Sequence, residues 1–236
     1  EQKKETQANN SRREFIKQTA TALAGFIIVP RYVLGGNRPD GSKYIAPSDM
    51  ITLGFIGCGK QGRILSNSFL ATNEIRILAL SEVYNDKTEL MLRTIKNNQE
   101  KYKQPINGQE ISVYTDFKEL LSRKDIDAVV IATPDHWHAP MSIDAINAGV
   151  HVYVEKPMTH NIEETYAIRD AVRNNPKAVF AVGHQHRQTQ SFLTAQDAIA
   201  KNTLGHVSLV VTATNRNDDN GAWQYEIHPD GNTESI

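Results

Sequence analysis

The residues best placed to do chemistry begin with three glycines in the spacing G-x-G-x-x-G. Gly57, Gly59 and Gly62 follow the apolar run Ile51–Ile56 and precede a segment predicted to be helical. A strand, a glycine turn and a helix in this order are typical of a site for a dinucleotide pyrophosphate. The first glycine permits the tight turn, the second a close approach of the backbone and the third helix–strand packing, while the helix start attracts the phosphates. The alternative is a glycine-rich turn in some other α/β domain.

A carboxylate follows the next apolar run. Residues 75–80 (IRILAL) predict a second buried strand, and Glu82 follows it, about twenty residues beyond Gly62. A carboxylate at this position accepts hydrogen bonds from both hydroxyls of the adenosine ribose. It also repels a 2′-phosphate. The sequence therefore favours NAD over NADP as the cofactor.

Three further polar segments follow predicted buried strands. They are TPDHWH (133–138), EKP (155–157) and HQHR (184–187). Ligands of doubly wound sheets bind at the carboxyl ends of the strands, where these segments lie. We expect Trp137 and His138 to lie against the cofactor, and Asp135 or His136 to cap the helix that follows. His184 and His186 are more typical of structural groups than of metal ligands, so no metal site is predicted.

Lys156 is the residue in these segments best suited to proton chemistry. It lies beside Pro157 at the end of a predicted buried strand. A partly buried ammonium there donates a hydrogen bond or serves as a proton carrier. A solvated lysine on a surface turn explains the tripeptide equally well, and both interpretations stay open at this point.

The composition excludes several other classes of protein. A chain of 236 residues, 39% of them hydrophobic, suffices for one sizeable core and part of a second. Its net charge of −1 comes from interspersed acids and bases, so no basic stripe predicts nucleic acid or a lipid surface. No run reaches the roughly 18 apolar residues of a membrane span. The single cysteine, Cys58, excludes an intrachain disulfide and is predicted to fill space in the glycine turn.

The first 48 residues carry the features of a targeting segment. Residues 11–17 (SRREFIK) combine paired Arg12 and Arg13 with Phe15 and Lys17, and a moderately apolar stretch follows at 19–29. This pattern matches a twin-arginine signal, although an amphipathic helix with two chance arginines is the alternative. Residues 31–48, rich in Gly and Pro, are predicted to be a linker. We therefore expect a periplasmic or otherwise exported protein that uses the twin-arginine machinery, which carries folded proteins.

Four motifs in one order, GFIGCGKQG, TPDHWH, VYVEKP and GHQHR, resemble those of the Gfo/Idh/MocA oxidoreductases. This is the family of glucose–fructose oxidoreductase and inositol dehydrogenase. The resemblance covers residues 50–215 and implies an α/β fold: a doubly wound parallel Rossmann sheet at 49–183, then the start of a truncated α/β domain with an open, mainly antiparallel sheet at 184–236. The alternating residues 206–214 predict a strand of that second sheet.

The resemblance also assigns roles to the matched positions. Together with Trp137, the implied cofactor-binding residues are Gly57, Gly59, Lys60, Gln61, Gly62, Glu82, Thr133, Pro134, His138, Glu155, Lys156, Gln185 and Arg187. Among them, Glu155 would contact the ribose on the nicotinamide side, and Lys156 would touch the reacting hydroxyl as the catalytic residue. Gln185 and Arg187 would lie near the nicotinamide and the substrate entrance, and Pro157 is often cis.

The implied activity is an NAD(H)-dependent transfer of a hydride between the nicotinamide and a hydroxyl-bearing carbon of a sugar or polyol. The family's catalytic histidine would lie beyond residue 236, and His228 and Asp230 are not assigned that role. One alternative is an NAD-dependent glycosidase that works by transient oxidation and elimination, whose members often lack the lysine of EKP. A second alternative is a non-catalytic nucleotide-binding protein. The resemblance also implies a homo-oligomer when the protein is full length.

Overall fold

The computed structural model describes residues 36–37, 43–46, 49–104, 110–213 and 228–231. The chain divides into two compact units between Asp49 and Met50. In the first unit, strands β1 (Gly36–Asn37) and β2 (Lys43–Tyr44) form an antiparallel ribbon, so part of the predicted linker has regular structure. The predicted export signal at 11–29 lies outside the described residues.

A parallel sheet of six strands forms the centre of the second unit. The strands are β3 (Ile51–Ile56), β4 (Ile75–Ser81), β5 (Ser112–Tyr114), β6 (Ala128–Ile131), β7 (His151–Glu155) and β8 (Phe180–Gly183). Their order is β5-β4-β3-β6-β7-β8, and all neighbouring pairs are parallel. The order reverses between β3 and β6, which is the switch point where doubly wound sheets bind ligands. The predicted parallel sheet is confirmed.

Helices cover both faces of this sheet. They are α1 (Lys60–Leu70), α2 (Asn85–Lys101), α3 (Phe117–Leu121), α4 (His138–Asn147) and α5 (Ile162–Asn174). A further helix, α6 (Gln190–Ala200), follows β8 and has no buried residue. Neighbouring side chains of a strand point to opposite faces, and Phe55 and Ile56 accordingly enter two different apolar clusters. Phe55 packs with Leu80 and Met91, and Ile56 with Ile131 and Ile146. Within the described ranges, no helix has the length and hydrophobicity needed to cross a bilayer.

Side-chain caps and a glycine define some of the helix boundaries. The side-chain amide oxygen of Asn161 accepts a backbone N–H of α5 at 2.9 Å, and the carboxylate of Asp116 accepts one of α3 at the same distance. The left-handed Gly149 (φ +81°) ends α4. The predicted cap of α4 by Asp135 or His136 is wrong. Residues 135–137 form a 3₁₀ turn that runs directly into α4, so Trp137 occupies the capping position instead.

The strand predicted at 206–214 does not form over the described part of that range. Residues 206–213 form no strand, and Thr214 lies outside the described residues. Leu209, Val210 and Val211 are between 75% and 79% exposed. Alternation groups side chains on one face, but a strand also needs a hydrogen-bonded neighbour, and the described residues supply none for this segment. The second domain itself stays a prediction.

Candidate cofactor and active site

The first and third glycines of the turn after β3 are required by close packing. Gly57 has a left-handed backbone (φ +93°), and a Cβ there would lie 2.7 Å from the Ala132 carbonyl oxygen. A Cβ on Gly62 would press on the carbonyl oxygen of Gly57. The Gly57 N–H donates to the carbonyl oxygen of Ser81 at the end of β4. The turn is therefore fixed between β4 and β6, at the switch point of the sheet.

The second glycine faces open space. A Cβ built on Gly59 meets no atom within 4 Å. Gly59 precedes α1, which has neither a side-chain cap nor an acidic residue in its first turn. The first N–H groups of a helix lack partners within it and carry partial positive charge. This cradle of N–H groups beside an open glycine backbone fits the pyrophosphate of a dinucleotide.

Cys58 and Arg63 stabilise the turn from inside. Cys58 is fully buried, and burial, followed by the nearby Glu82 carboxylate, raises the pKa of its thiol to about 12. The thiol stays protonated at neutral pH, as a space-filling residue should. Arg63 Nη1 donates to the Cys58 carbonyl oxygen at 3.0 Å. No sequence signal marks Arg63, because an arginine near a helix start is usually solvated.

Glu82 lies against the glycine turn. Its Oε2 accepts the Cys58 N–H at 2.8 Å, and its Oε1 accepts the N–H groups of Val83 and Tyr84 at 2.9 and 3.2 Å. A carboxylate offers about four acceptor positions, so one is left for a further donor. This position suits a hydroxyl group of an adenosine ribose whose phosphates rest on α1.

Glu155 joins the glycine turn to the EKP turn. It ends β7 and is 5% exposed. Its Oε1 accepts the Gln61 side-chain amide at 3.0 Å, and its Oε2 accepts the Lys156 N–H at 3.1 Å. The Lys156 side chain is exposed, and within the described part of the chain its ammonium makes no hydrogen bond or ion pair. That ammonium is therefore available to a ligand. The Lys156–Pro157 bond is cis.

His138 is buried between two turns. It is 2% exposed; its Nδ1 lies 2.6 Å from the Pro157 carbonyl oxygen and its Nε2 lies 3.0 Å from that of Thr133. Both ring nitrogens thus face backbone of the protein. Trp137 is partly buried against the apolar cluster that contains Ile131. The cofactor contacts predicted for Thr133, Pro134, Trp137 and His138 stay predictions.

The residues described so far lie within one family match. Residues 51–184 match the model of the Gfo/Idh/MocA oxidoreductases, a family with an NAD-binding Rossmann fold. The chain belongs to this family. The matched segment contains the glycine turn, Glu82 and the EKP turn, so the Gfo/Idh/MocA match and the geometry point to the same edge of the sheet.

Two curated relatives of this Gfo/Idh/MocA chain come from Shewanella. An α-N-acetylgalactosaminidase from Shewanella oneidensis is 29% identical over 180 residues, which are 72% of this chain and 38% of that protein. A glycosyl hydrolase family 109 protein from Shewanella baltica is 30% identical over 179 residues, with the same two coverages. The chain thus spans 38% of the length of these relatives.

Solved structures share the fold. Scyllo-inositol dehydrogenase from Lactobacillus casei, with bound NAD(H) and scyllo-inositol, superposes with a TM-score of 0.55 at 24% identity, covering 66% of this chain and 42% of that one. Levoglucosan dehydrogenase, in complex with NADH and levoglucosan, has a TM-score of 0.51 at 24% identity, covering 66% and 40%. At these identities the likeness shows the Gfo/Idh/MocA fold.

The structure does not bring every predicted Gfo/Idh/MocA residue to the site. Gly183 pairs with Glu155 across β7 and β8, so the HQHR segment starts at the correct edge. Gln185 and Arg187 are exposed in the turn that follows, and among the described residues neither bonds to the glycine turn or to Lys156. Their roles stay predictions.

His228 makes a contact that no sequence motif predicts. Its ring stacks on Tyr84 with centroids 3.9 Å apart, and its Nε2 lies 3.1 Å from Asp86 Oδ1. The His228 hydrogen bond holds the pKa of the exposed Asp86 carboxyl below its usual value. Tyr84 and Asp86 lie just after Glu82 in sequence, but the separation of 142 residues between Asp86 and His228 leaves no local signal of this contact.

Proposed function

We propose that the protein is an NAD(H)-dependent oxidoreductase that transfers a hydride between the nicotinamide and a hydroxyl-bearing carbon of a sugar or polyol. The Glu155 carboxylate carries this proposal. It hydrogen-bonds both to Gln61 in the first turn of α1 and to the N–H of Lys156. One extended ligand along this edge of the sheet would therefore have a phosphate cradle at one side and a free ammonium at the other.

The residues present fit a dinucleotide. The first turn of α1 would hold its pyrophosphate, Glu82 its adenosine ribose and Glu155 its second ribose. When bound, NAD(H) supplies the hydride acceptor or donor. Lys156 would donate a hydrogen bond to the substrate hydroxyl, which orients that group and stabilises negative charge on its oxygen.

A panel of substrates tests the activity of the full-length protein. We expect NADH to form from NAD with at least one of scyllo-inositol, myo-inositol, levoglucosan and a broad set of hexoses and their polyols, as followed at 340 nm. Absence of hydride transfer with every member of this panel, in both directions, would contradict the proposal.

A glycosidase that keeps its NAD bound is the second candidate. The two Shewanella relatives carry glycosidase names, which favours it. Oxidation of a ring hydroxyl acidifies the neighbouring C–H bond, so the aglycone leaves by elimination. Retention of Lys156 supports the dehydrogenase instead. Release of nitrophenol from a nitrophenyl α-N-acetylgalactosaminide, without net change in NADH, would decide for the glycosidase.

We further infer that NAD is preferred over NADP, because a 2′-phosphate would meet the Glu82 carboxylate. Replacing Glu82 by glutamine keeps an oxygen for the Cys58 N–H and removes the charge. We expect the ratio of the dissociation constants of NADPH and NADH to fall at least about tenfold, or about 1.4 kcal/mol. Titrations of both nucleotides measure the ratio, with the exposed Glu89→Gln on α2 as control. An unchanged ratio would remove Glu82 from cofactor selection.

Export through the twin-arginine route and a homo-oligomeric state of the full-length protein are also proposed. Export is supported by the paired arginines and apolar stretch of residues 11–29. The oligomer is supported only by the family resemblance.

A further inference from the structure

We propose that His138 is a positioning residue that fixes the backbone on which Lys156 is carried. The inference rests on the proposed function, because Lys156 is taken to be the group that meets the substrate hydroxyl. His138 itself starts α4, and its side chain lies beneath two turns at the carboxyl edge of the sheet.

The hydrogen bonding of the ring defines its role. Both neighbours of the imidazole are carbonyl oxygens, of Pro157 at 2.6 Å and of Thr133 at 3.0 Å. A carbonyl oxygen only accepts, and a neutral imidazole carries one N–H. We assign this N–H to Nδ1, as a donor to Pro157, because that contact is the shorter of the two. Because the ring is 2% exposed, bulk water does not replace this bond when the ring is removed.

The bond to Pro157 completes a pair of anchors around Lys156. On one side, the Lys156 N–H donates to the buried Glu155 carboxylate. On the other side, the carbonyl of the next residue is held by His138. The exposed lysine side chain has no hydrogen-bond partner within the described residues, so its reach is set by this backbone. Removing the His138 anchor would let the turn move while leaving Glu155 and the glycine turn in place.

Two amide substitutions separate the two ring nitrogens. The amide nitrogen of asparagine lies near the position of Nδ1, and that of glutamine near the position of Nε2. His138→Asn therefore keeps a donor for Pro157, whereas His138→Gln keeps one for Thr133 and His138→Ala keeps neither. We expect the glutamine and alanine variants to lose about 100-fold in kcat, the cost of misplacing a reacting group by about 1 Å. The asparagine variant should stay within about fivefold of the unsubstituted protein, with KM little changed in all three.

The control is His151→Asn. His151 lies at the amino end of β7, where its Nδ1 accepts the N–H of Val179 at 3.1 Å. The asparagine oxygen can accept the same bond, so turnover should be unchanged. This variant removes an imidazole from the amino end of the strand that leads to Lys156, away from the site.

Amide hydrogen exchange gives a readout that needs no substrate. In the full-length protein with saturating NADH, the amides to follow are those of Lys156 and His160, which flank the turn and donate to the carboxylates of Glu155 and Glu164. We expect their exchange to be about tenfold faster in the glutamine and alanine variants and unchanged in the asparagine variant, with β4 unaffected in all. Equal exchange rates in the three variants would overturn the proposal. So would an asparagine variant that loses as much kcat, or as much of its folded fraction, as the alanine variant does. If the protein turns over no panel substrate, the proposed function fails, and the exchange rates alone decide whether His138 holds the turn.

Discussion

Replacing Lys156 by alanine is expected to lower kcat by a factor of about 10² to 10⁴, the usual range for a positioned proton-handling group. The ammonium has no partner within the described residues, so its loss leaves the folded protein intact. The dissociation constant of NADH should stay within about threefold, because the glycine turn and Glu82 are untouched. Steady-state rates on the substrate found in the panel, together with an NADH titration, measure both quantities.

Two further variants separate the role of Lys156 from that of any surface lysine. Lys156→Arg keeps the charge but places a planar, forked donor at the substrate, so it should not restore kcat. The exposed Lys96→Ala on α2 should behave as the unsubstituted protein. Full turnover of Lys156→Ala would remove the lysine from the mechanism and leave a nucleotide-binding protein whose chemistry lies elsewhere.

Replacing Gly59 by alanine is expected to weaken NADH binding by at least about 100-fold, or about 2.7 kcal/mol, without unfolding the protein. The backbone of Gly59 is extended (φ −65°, ψ −172°), which alanine adopts freely, and the new Cβ meets no atom within 4 Å. The methyl group would instead stand where the pyrophosphate approaches the backbone. Stability should change by less than about 1 kcal/mol.

Gly62→Ala is the matched contrast. Its Cβ would press on the Gly57 carbonyl oxygen and push α1 away from β3. We expect a loss of about 1–3 kcal/mol of folding stability, which a thermal melt without nucleotide detects. If Gly59→Ala bound NADH as tightly as the unsubstituted protein, the phosphate cradle would have to lie away from this turn.

The predictable part of the molecule is the part with local or periodic signals. The spacing of Gly57, Gly59 and Gly62 predicts the turn because each glycine meets a separate steric demand. Runs such as residues 128–131 predict buried strands because a parallel sheet covered on both faces leaves no polar side. Asn161 predicts a helix start because its side chain replaces a missing backbone acceptor.

Contacts between distant segments carry no such signal. Gln61 and Glu155 are 94 residues apart, and nothing in either neighbourhood predicts that they share a hydrogen bond. The alternation at 206–213 predicts a shared face but not a partner strand, and the strand does not form. The TPDHWH motif predicts that His138 lies against the cofactor, but nothing in it predicts that both ring nitrogens face backbone carbonyls.

Calorimetric titration of the full-length protein with NADH tests the central claim most directly, once denatured samples have shown that no nucleotide is already bound. The structure predicts one site per chain, with heat of binding that is largely lost in Gly59→Ala and retained in Lys156→Ala. Well-folded, nucleotide-free protein that gives no heat with NADH or NADPH would contradict the account.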